Sequence, residues 1–433
     1  MTGIPGSRLR RLFTQAGIAA GILLAMEIIL RIYGYTPRWS PLYHTFQSTR
    51  LYLPAITGSI PGFRTNPAYQ QEFQDVEFTA EKGTAFRIMT TGGSAVHGWR
   101  LPDRASQNFL ARLTVMLRKR HPGINFEGIN AGGCAWGSYR EQILTGELLR
   151  HKPDLLIVMT GNNEVLEYPL YRNLTTQPIS RVRLGILMEH SRLFLFSYNI
   201  AANFLWKDPY QPPIDGHYEL LGDSAMNDLL GRIESNIRSI ITQCRKAGVP
   251  VIFGTTPANL KVDPDTPTDW LVGSSHHSSS LSRENLAKWN SAWNQGLERR
   301  KKGDLKGALA SFLLAKSIDP AFARQYHEIG ICLEKLGRYA EAREAYWTHI
   351  DRTRRLVTRE INRVTARVCR ELGVPLADCA ASLEKASPHG LTDYSLFIDS
   401  MHPNIRGHEL LAESFFGAVN KQVQLSGRFN TAR

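Results

Sequence analysis

A serine and an Asp–His pair, more than three hundred residues apart, have the types and spacing that nucleophilic catalysis requires. Ser94 follows the apolar run Phe86–Thr91 through two glycines, and Asp399 precedes His402 by three residues. A serine hydroxyl is a weak nucleophile at neutral pH, so it needs a base to take its proton and a carboxylate to orient that base. We therefore expect His402 to be the base for Ser94 and Asp399 to orient His402.

Five apolar runs alternate with helical segments and predict the framework that would position these side chains. Strands alternating with helices are typical of a parallel, doubly wound sheet with right-handed crossovers. We therefore predict an α/β fold with three αβα layers, a mainly parallel five-stranded sheet, and a site beyond the carboxyl ends of the strands. The predicted strands are Phe86–Thr91, Ile124–Asn130, Leu155–Thr160, Val249–Thr255 and Val374–Ala377, and the main predicted helices are Arg104–Arg120, Leu229–Ala247 and Ile405–Val419.

Two polar loops after predicted strands complete a set of four sequence blocks. Residues 130–138 read Asn-Ala-Gly-Gly-Cys-Ala-Trp-Gly-Ser, and residues 161–164 read Gly-Asn-Asn-Glu. With Gly92-Gly93-Ser94 before them and Asp399-x-x-His402 after them, they resemble the blocks of the SGNH/GDSL hydrolase superfamily, in the same order. The resemblance covers about residues 85–260 and 372–420. It implies the SGNH fold, which is flavodoxin-like, and carboxylic-ester chemistry at the serine.

The resemblance also implies an oxyanion hole, the set of N–H groups that stabilises negative charge on the reacting oxygen. Its donors would be the backbone N–H groups of Ser94 and Ala135 and the side chain of Asn163. The family usually has glycine where Ala135 falls, and we expect alanine to serve with a negative φ. Gly133 or Gly137 remains the alternative donor.

Several neighbouring positions modify this assignment. Gly93 stands where an acidic residue is usual, and Glu164 stands where aspartate is usual and would support its loop. Pro403 is expected to fix the start of the last helix and to keep His402 extended. His97 is an alternative base, but it should lie one helical turn behind Ser94 and point away.

We expect no cofactor and no metal. Five cysteines are scattered without CxxC or CxxH spacing, so there is no metal-site pattern. A disulfide framework is unusual in a chain of 433 residues, although one pair could bridge. The histidine pair His276-His277 lies in the serine-rich loop Asp263–Ser282, and we interpret this loop as a flexible linker.

The N-terminal region predicts a membrane anchor. The run Ala16–Tyr35 is apolar except for Glu27 and Arg31, which are four residues apart and can pair. Twenty helical residues span about 30 Å, enough for a bilayer core. Arginines before the run favour a cytoplasmic N-terminus and an extracytoplasmic catalytic domain. The flanking arginines are Arg8, Arg10 and Arg11, and the interfacial aromatic residues are Tyr33, Tyr35 and Trp39.

A repeat with a period of 34 residues lies between the fourth and fifth predicted strands. Gly296 recurs as Gly330, and Phe312 recurs as Tyr346. The pattern resembles a pair of tetratricopeptide repeats, which would bind a partner protein or roof the site. The basic helix Arg354–Leu372 could cap the pair. The predicted domains are therefore an anchor (1–39), a membrane-proximal arm (40–84), a hydrolase domain in two parts (85–288 and 372–433), and a helical insertion (289–371).

The charge is basic but unevenly distributed. The net charge is +13, and the segment Arg299–Glu371 contributes +8 of it. Such a surface can attract anionic lipids, acidic polymers or nucleic acid, but we favour a solvated helical face and expect no nucleic acid. A second segment, 181–206, is basic at its start and then apolar. It could form a lid or a membrane-facing helix, or a core helix of the insertion.

Three functions remain open at this stage. The first is a membrane-anchored, extracytoplasmic hydrolase of carboxylic esters that forms an acyl-serine intermediate on an ester-bearing small molecule, lipid or polysaccharide. The second is an O-acyltransferase of envelope polysaccharide or lipid, in which an acceptor hydroxyl replaces water. The third is a scaffold that binds a partner through the repeats and has a degenerate site. Intact Ser94, Asp399 and His402 argue against the third.

Overall fold

The computed structural model describes residues 6–35, 50–168, 188, 191–205, 222–264, 266, 275–353, 356 and 358–426. The chain divides into two compact units. One contains Met1–Leu51, Asn66–Ala68 and Pro169–Ile214, and the other contains Tyr52–Thr65, Tyr69–Tyr168 and Asp215–Arg433. Trp39 and residues 181–187 of the predicted lid segment lie outside the described residues.

The second unit is built on a parallel sheet of five strands. The strand order is β5-β4-β6-β7-β8, and every neighbouring pair is parallel. The prediction of an α/β doubly wound fold is thereby confirmed, and the five strands fall where the apolar runs predicted them. The strands of the chain are β1 (Tyr52–Thr57), β2 (Ile60–Thr65), β3 (Glu77–Thr79), β4 (Phe86–Gly92), β5 (Phe126–Gly132), β6 (Leu155–Met159), β7 (Val251–Gly254) and β8 (Leu376–Ala377).

Helices cover both faces of this sheet. The pairs α4–α14 and α13–α14 pack together on one face, and the pairs α5–α7 and α7–α12 form the other layer. The helices are α1 (Gly6–Ile32), α2 (Ser94–His97), α3 (Arg104–Gln107), α4 (Phe109–Arg120), α5 (Ser138–Leu148), α6 (Arg192–Leu205), α7 (Asp223–Ala247), α8 (Arg283–Lys301), α9 (Leu305–Ile318), α10 (Arg324–Lys335), α11 (Tyr339–Thr353), α12 (Thr358–Glu371), α13 (Cys379–Ala386) and α14 (Ile405–Leu425).

The predicted helix Arg104–Arg120 is two helices. Asn108 has extended backbone angles between α3 and α4, and its side chain accepts a hydrogen bond from Ala111 N at 3.0 Å. Asparagine is a preferred N-cap because its short side chain can satisfy a free amide at the start of a helix. The cap therefore ends one helix and begins the next, and the prediction of one continuous helix was wrong.

Strands β1, β2 and β3 form a separate antiparallel sheet within the segment predicted to be a membrane-proximal arm. The two longer strands contain Pro54, Pro61 and Gly62, residues that are depleted in strands. Sequence patterning therefore gave no strand signal here.

The helical insertion has the close approaches that the 34-residue period predicted. A Cβ atom added to Gly330 would lie 2.6 Å from the ring of Tyr346, and one added to Gly296 would lie 2.5 Å from the ring of Phe312. Each glycine therefore lets α8 or α10 pack directly on an aromatic ring of the next helix. The following helix, α12, contacts α7 through the Arg367–Glu234 ion pair at 2.7 Å, so it joins the helical layer of the sheet.

Residues before the insertion are attached to it, which corrects their interpretation as a flexible linker. His277 Nδ1 lies 2.8 Å from Asp319 Oδ2, and its ring stacks on Phe322 with centroids 4.6 Å apart. Ser275 Oγ accepts a hydrogen bond from Arg324 N at 2.9 Å. All five cysteines are free thiols.

The other unit contains the predicted anchor. Within α1, residues Thr14–Ile32 form a stretch of 19 residues with a mean hydropathy of 1.7. This is long and apolar enough to cross a membrane, although an N-terminal signal sequence has the same properties.

Replacing Gly330 with alanine tests the close packing of the insertion. The added methyl group would overlap the Tyr346 ring, so we expect the free energy of unfolding to fall by about 1–3 kcal/mol. Gly231→Ala in α7 is the matched control, because no atom lies within 4 Å of its added Cβ, and alanine should stabilise that helix by up to about 1 kcal/mol. Urea unfolding of both variants measures the difference. Equal effects would contradict the predicted contact.

Candidate functional site

Ser94, His402 and Asp399 form one hydrogen-bonded chain. Ser94 Oγ lies 2.7 Å from His402 Nε2, and His402 Nδ1 lies 2.7 and 2.9 Å from the two carboxylate oxygens of Asp399. All three residues are buried. A hydroxyl on one imidazole nitrogen and a carboxylate on the other is the arrangement that activates a serine nucleophile.

The serine is positioned by the junction of β4 and α2. Gly93 is the extended residue before the helix, and Ser94 is the first helical residue. Asn130 at the end of β5 holds the junction in place: its Nδ2 donates to Val96 O at 2.8 Å, and its Oδ1 accepts from Gly132 N at 2.9 Å. Asn130 begins the block 130–138, but nothing in the sequence indicated this bracing role.

The base and its carboxylate come from one tight turn before α14. Asp399 Oδ1 accepts the backbone N–H groups of Met401 at 3.0 Å and His402 at 2.8 Å. Asn259, which follows β7, donates its side chain to Asp399 O at 3.1 Å. The helix itself is capped by Asn404, whose side chain accepts from Gly407 N at 3.1 Å. The cap that begins α14 is therefore Asn404, the residue that follows Pro403.

The electrostatics of the turn keep Asp399 ionised. Burial alone would raise its pKa, but hydrogen bonds from the His402 side chain and from two backbone amides outweigh burial and lower the pKa below its usual value of 3.8. Arg100 adds positive charge at the rim, because its Nη1 lies 3.7 Å from Asp399 Oδ2 and its side chain is about half exposed. An ionised Asp399 stabilises the imidazolium that His402 forms when it accepts a proton.

Ala135 has a left-handed backbone, with φ of +61°. The expectation of a negative φ was wrong, and the left-handed conformation explains why glycine is favoured at such a position. Arg140 holds this conformation, because its guanidinium donates to Ala135 O and pairs with Glu167. The alternative donor Gly133 already donates its N–H to Gly92 O at 2.8 Å, which leaves Ala135 or Gly137 for an oxyanion.

Asn163 lies directly beside the residue before the nucleophile. Its Nδ2 donates to Trp136 O at 2.8 Å, and a Cβ atom added to Gly93 would lie only 2.5 Å from this nitrogen. Since Nδ2 carries two hydrogens, one remains after the bond to Trp136. A side chain at position 93 would therefore meet this amide, so glycine leaves Asn163 its place beside the β4–α2 junction.

His97 lies outside the hydrogen-bonded chain that Ser94, His402 and Asp399 form. It is fully buried, its Nε2 lies 3.1 Å from Arg104 Nη1, and its Nδ1 lies 3.4 Å from Cys134 Sγ. Burial, with the charges of Arg104 and His402, lowers the pKa of His97 to about 4. The structure therefore favours His402 over His97 as the base.

A cluster of buried carboxyl groups lies beneath the two loops. Glu164 accepts hydrogen bonds from Ser138 N and Ser138 Oγ, both at 2.8 Å, so it joins the loop 161–164 to the start of α5. Burial and the nearby Glu167 raise the pKa of Glu164 to about 7. Burial and Glu164 raise the pKa of Glu141 well above 4.5. Glu164 was expected to support its loop, and it does so through Ser138, whereas nothing in the sequence distinguishes Glu141 and Glu167 from surface residues.

No family model matches the chain, and no curated protein matches it. The chain is similar to the structure of an alpha/beta hydrolase, LAE5, from the metagenome of Lake Arreo, Spain, with 13% identity over 78% of this chain and 97% of that one (TM-score 0.36). It is similar to the lipase/acylhydrolase from Enterococcus faecalis with 14% identity over 78% and 96% (TM-score 0.36). It is also similar to the acetyl xylan esterase AlAXEase with 11% identity over 77% and 99% (TM-score 0.36). At such TM-scores we draw no conclusion about activity from them.

The carboxyl cluster predicts how stability depends on pH. The unfolded chain loses the Glu141 proton near pH 4.5, whereas the folded chain keeps it to a higher pH. The unfolded state therefore binds fewer protons in this window, and stability falls as pH rises through it. Glu141→Gln should remove this dependence, so the unfolding free energy of this variant should increase relative to that of the native chain as pH rises above about 4.5.

Urea unfolding across that pH range measures this gain. Glu284→Gln is the control, because Glu284 is exposed on α8 and should change little with pH. A constant difference between Glu141→Gln and the native chain at every pH would contradict the expected titration.

Proposed function

We propose that this chain is an SGNH-type serine hydrolase that cleaves carboxylic esters through an acyl-serine intermediate. The observation that supports this most directly is the chain of hydrogen bonds from Ser94 through His402 to Asp399, with distances of 2.7 Å at both contacts of the imidazole. The side-chain amide of Asn163 beside Gly93 adds a donor of the kind that stabilises an oxyanion.

Acylation would begin with proton transfer from Ser94 to His402. As His402 Nε2 takes the proton, Ser94 Oγ forms a bond to the ester carbonyl carbon, and the carbonyl electron pair moves to its oxygen. The N–H groups of Ser94, Ala135 and Asn163 would donate to this oxyanion. When the carbonyl re-forms, the bond to the alcohol oxygen breaks, and His402 gives its proton to the departing alkoxide.

Deacylation would reuse the same base. His402 removes a proton from water, the resulting hydroxide attacks the acyl carbon, and Ser94 regains its proton as the acid leaves. If an acceptor hydroxyl of a polysaccharide or lipid enters in place of water, the same steps transfer the acyl group. O-acyltransfer is therefore the alternative function, and the relative rates with water and with an added alcohol separate the two.

The location of the activity is also a proposal. The apolar stretch Thr14–Ile32 would anchor the chain in a membrane, and the arginines that precede it favour a cytoplasmic N-terminus. The catalytic unit would then be extracytoplasmic, facing ester-bearing small molecules, lipids or polysaccharides.

The paired helices α8–α11 would act as a tetratricopeptide-like module. The glycine–aromatic contacts at Gly296 and Gly330 support this reading, because small residues at a period of 34 let paired helices pack closely. Such modules commonly present a surface for a partner protein. A partner lost on deletion of residues 289–356, with Ser94 still reactive, would support a binding role for the insertion.

Substitution of the proposed nucleophile and base tests the hydrolase. Ser94→Ala and His402→Ala should each lower kcat on a short aryl ester by about 10⁴–10⁶-fold, because the two groups act as a unit. Ser94→Ala should also abolish labelling by a fluorophosphonate probe. Ester hydrolysis assays and gel fluorescence measure the two effects.

Two controls make this test specific. Ser106→Ala removes an exposed serine of α3 and should leave both readouts unchanged. His97→Gln changes the alternative base and should lower kcat by less than about tenfold. Full activity of Ser94→Ala, or a loss in His97→Gln as large as that in His402→Ala, would refute the proposed roles.

The close approach of residue 93 to Asn163 gives a second test. Gly93→Ala should displace the Asn163 amide and lower kcat by about 10²–10³-fold, the usual effect of losing one oxyanion donor. Asn163→Ala should have a similar effect alone. The double variant should lose little more than either single variant, because the methyl group then has room. Multiplicative losses in this double-mutant cycle would contradict the contact.

A further inference from the structure

Glu27, the acidic residue in the apolar helix α1, binds the N-terminus of a second helix, α6. Glu27 accepts four hydrogen bonds besides its 2.6 Å ion pair with Arg31 Nη2. Three come from the start of α6: Ser191 Oγ at 2.9 Å, Arg192 N at 3.0 Å and Leu193 N at 2.8 Å. The fourth comes from Arg31 Nε at 2.7 Å. The carboxylate therefore binds α6 and not only the neighbouring turn of its own helix.

These contacts leave no free amide at the N-terminus of α6. The first four N–H groups of a helix have no partner within it and usually bind water. Here Arg192 N and Leu193 N donate to Glu27, while Phe194 N and Leu195 N donate to Ser191 Oγ and Ser191 O at 3.1 Å each. A helix that begins without needing water is suited to hydrocarbon, where unpaired backbone groups are costly.

The position of Glu27 in α1 sets the depth of this contact. Glu27 lies five residues before Ile32, the end of the apolar stretch, which corresponds to about 7–8 Å along the helix axis. Beyond it, Tyr35 contacts Phe196 with ring centroids 5.3 Å apart. Helix α6 therefore starts beside Glu27 and continues along α1 toward its C-terminal end.

The composition of α6 fits an apolar environment. This helix of 14 residues has no charged residue after Arg192, and most of its residues with described side chains are apolar. Of the residues 192–201, only Leu195 and Asn199 are buried, and the side chain of Ile200 is 44% exposed. A core helix of the insertion would bury more of its apolar residues. The helix is about 21 Å long, too short to span a bilayer.

We propose that α6 is a second membrane-embedded element, docked on the anchor by Glu27. It begins within the half of the bilayer at the C-terminal end of α1 and presents its exposed apolar side chains to lipid acyl chains. Ionisable residues in membrane helices are rare and usually paired, and the α6 terminus supplies the partner for Glu27. This inference rests on the proposal that Thr14–Ile32 spans a membrane.

Fluorescence quenching by lipids tests the embedding. The full chain, with an environment-sensitive dye on a cysteine introduced by Ile200→Cys, is reconstituted in phosphatidylcholine vesicles that contain nitroxide-labelled acyl chains. Leu313→Cys on α9 is the matched control, because Leu313 is also 44% exposed. Ile18→Cys reports on the anchor itself. The native chain gives the background signal from dye on its own five cysteines.

We expect the dye at positions 18 and 200 to be quenched and the dye at 313 to be unaffected. The embedding of α6 would be overturned if the dye at position 200 were no more quenched than the dye at position 313. If the dye at position 18 were still quenched, the anchor would stand. That result is also expected if a protein partner covers α6. Absence of quenching at 18 would overturn the anchor and this inference together.

Substitution of Glu27 tests the docking. Glu27→Leu removes the acceptor of Ser191 Oγ, Arg192 N and Leu193 N and should reduce quenching at position 200. Arg31→Gln removes the ion pair but leaves the three bonds to α6, so quenching should persist. Fluorophosphonate labelling of Ser94 in both variants reports that the catalytic unit is folded. Unchanged quenching in Glu27→Leu would exclude the docking role.

Discussion

The structure of the unit that contains the site depends on one constraint, the contact between Ser94 Oγ and His402 Nε2. It joins residues 308 positions apart at 2.7 Å, so both ends of the fold must be fixed independently. Asn130 fixes the serine end through Val96 and Gly132. Asn259 and the amides of the Asp399 turn fix the other. Buried, hydrogen-bonded side chains of this kind hold a site to the precision that catalysis requires.

The framework of the site could be predicted because its signals are local. Buried parallel strands read as continuous apolar runs, and each of the five lies where such a run occurs. The repeat period identified Gly296 and Phe312 as recurring positions, but their contact is seen only in the structure. The pairing of Ser94 with His402 needed a further inference, that strand ends and the start of the last helix meet at one edge of the sheet.

The remaining features depend on contacts that a sequence does not display. The left-handed backbone of Ala135 is held by Arg140. The raised pKa values of Glu141 and Glu164 follow from burial next to another glutamate, Glu164 for the first and Glu167 for the second. Asn108 was read as a polar residue within a helix, yet it caps one. The Asn108 cap is local, but for Ala135 and the two glutamates tertiary contacts decide the outcome. The same holds for Glu27, which binds α6 as well as Arg31.

The separation of Ser94 from His402 also affects how the protein is made. At about 5–20 residues per second, a ribosome adds the 308 residues between them in roughly 15–60 s. During that time the hydroxyl has no imidazole beside it. The nascent chain would therefore lack the Ser94–His402 contact while it is being synthesised, and the proposed reactivity of Ser94 would begin only after the turn that carries His402 docks on the sheet.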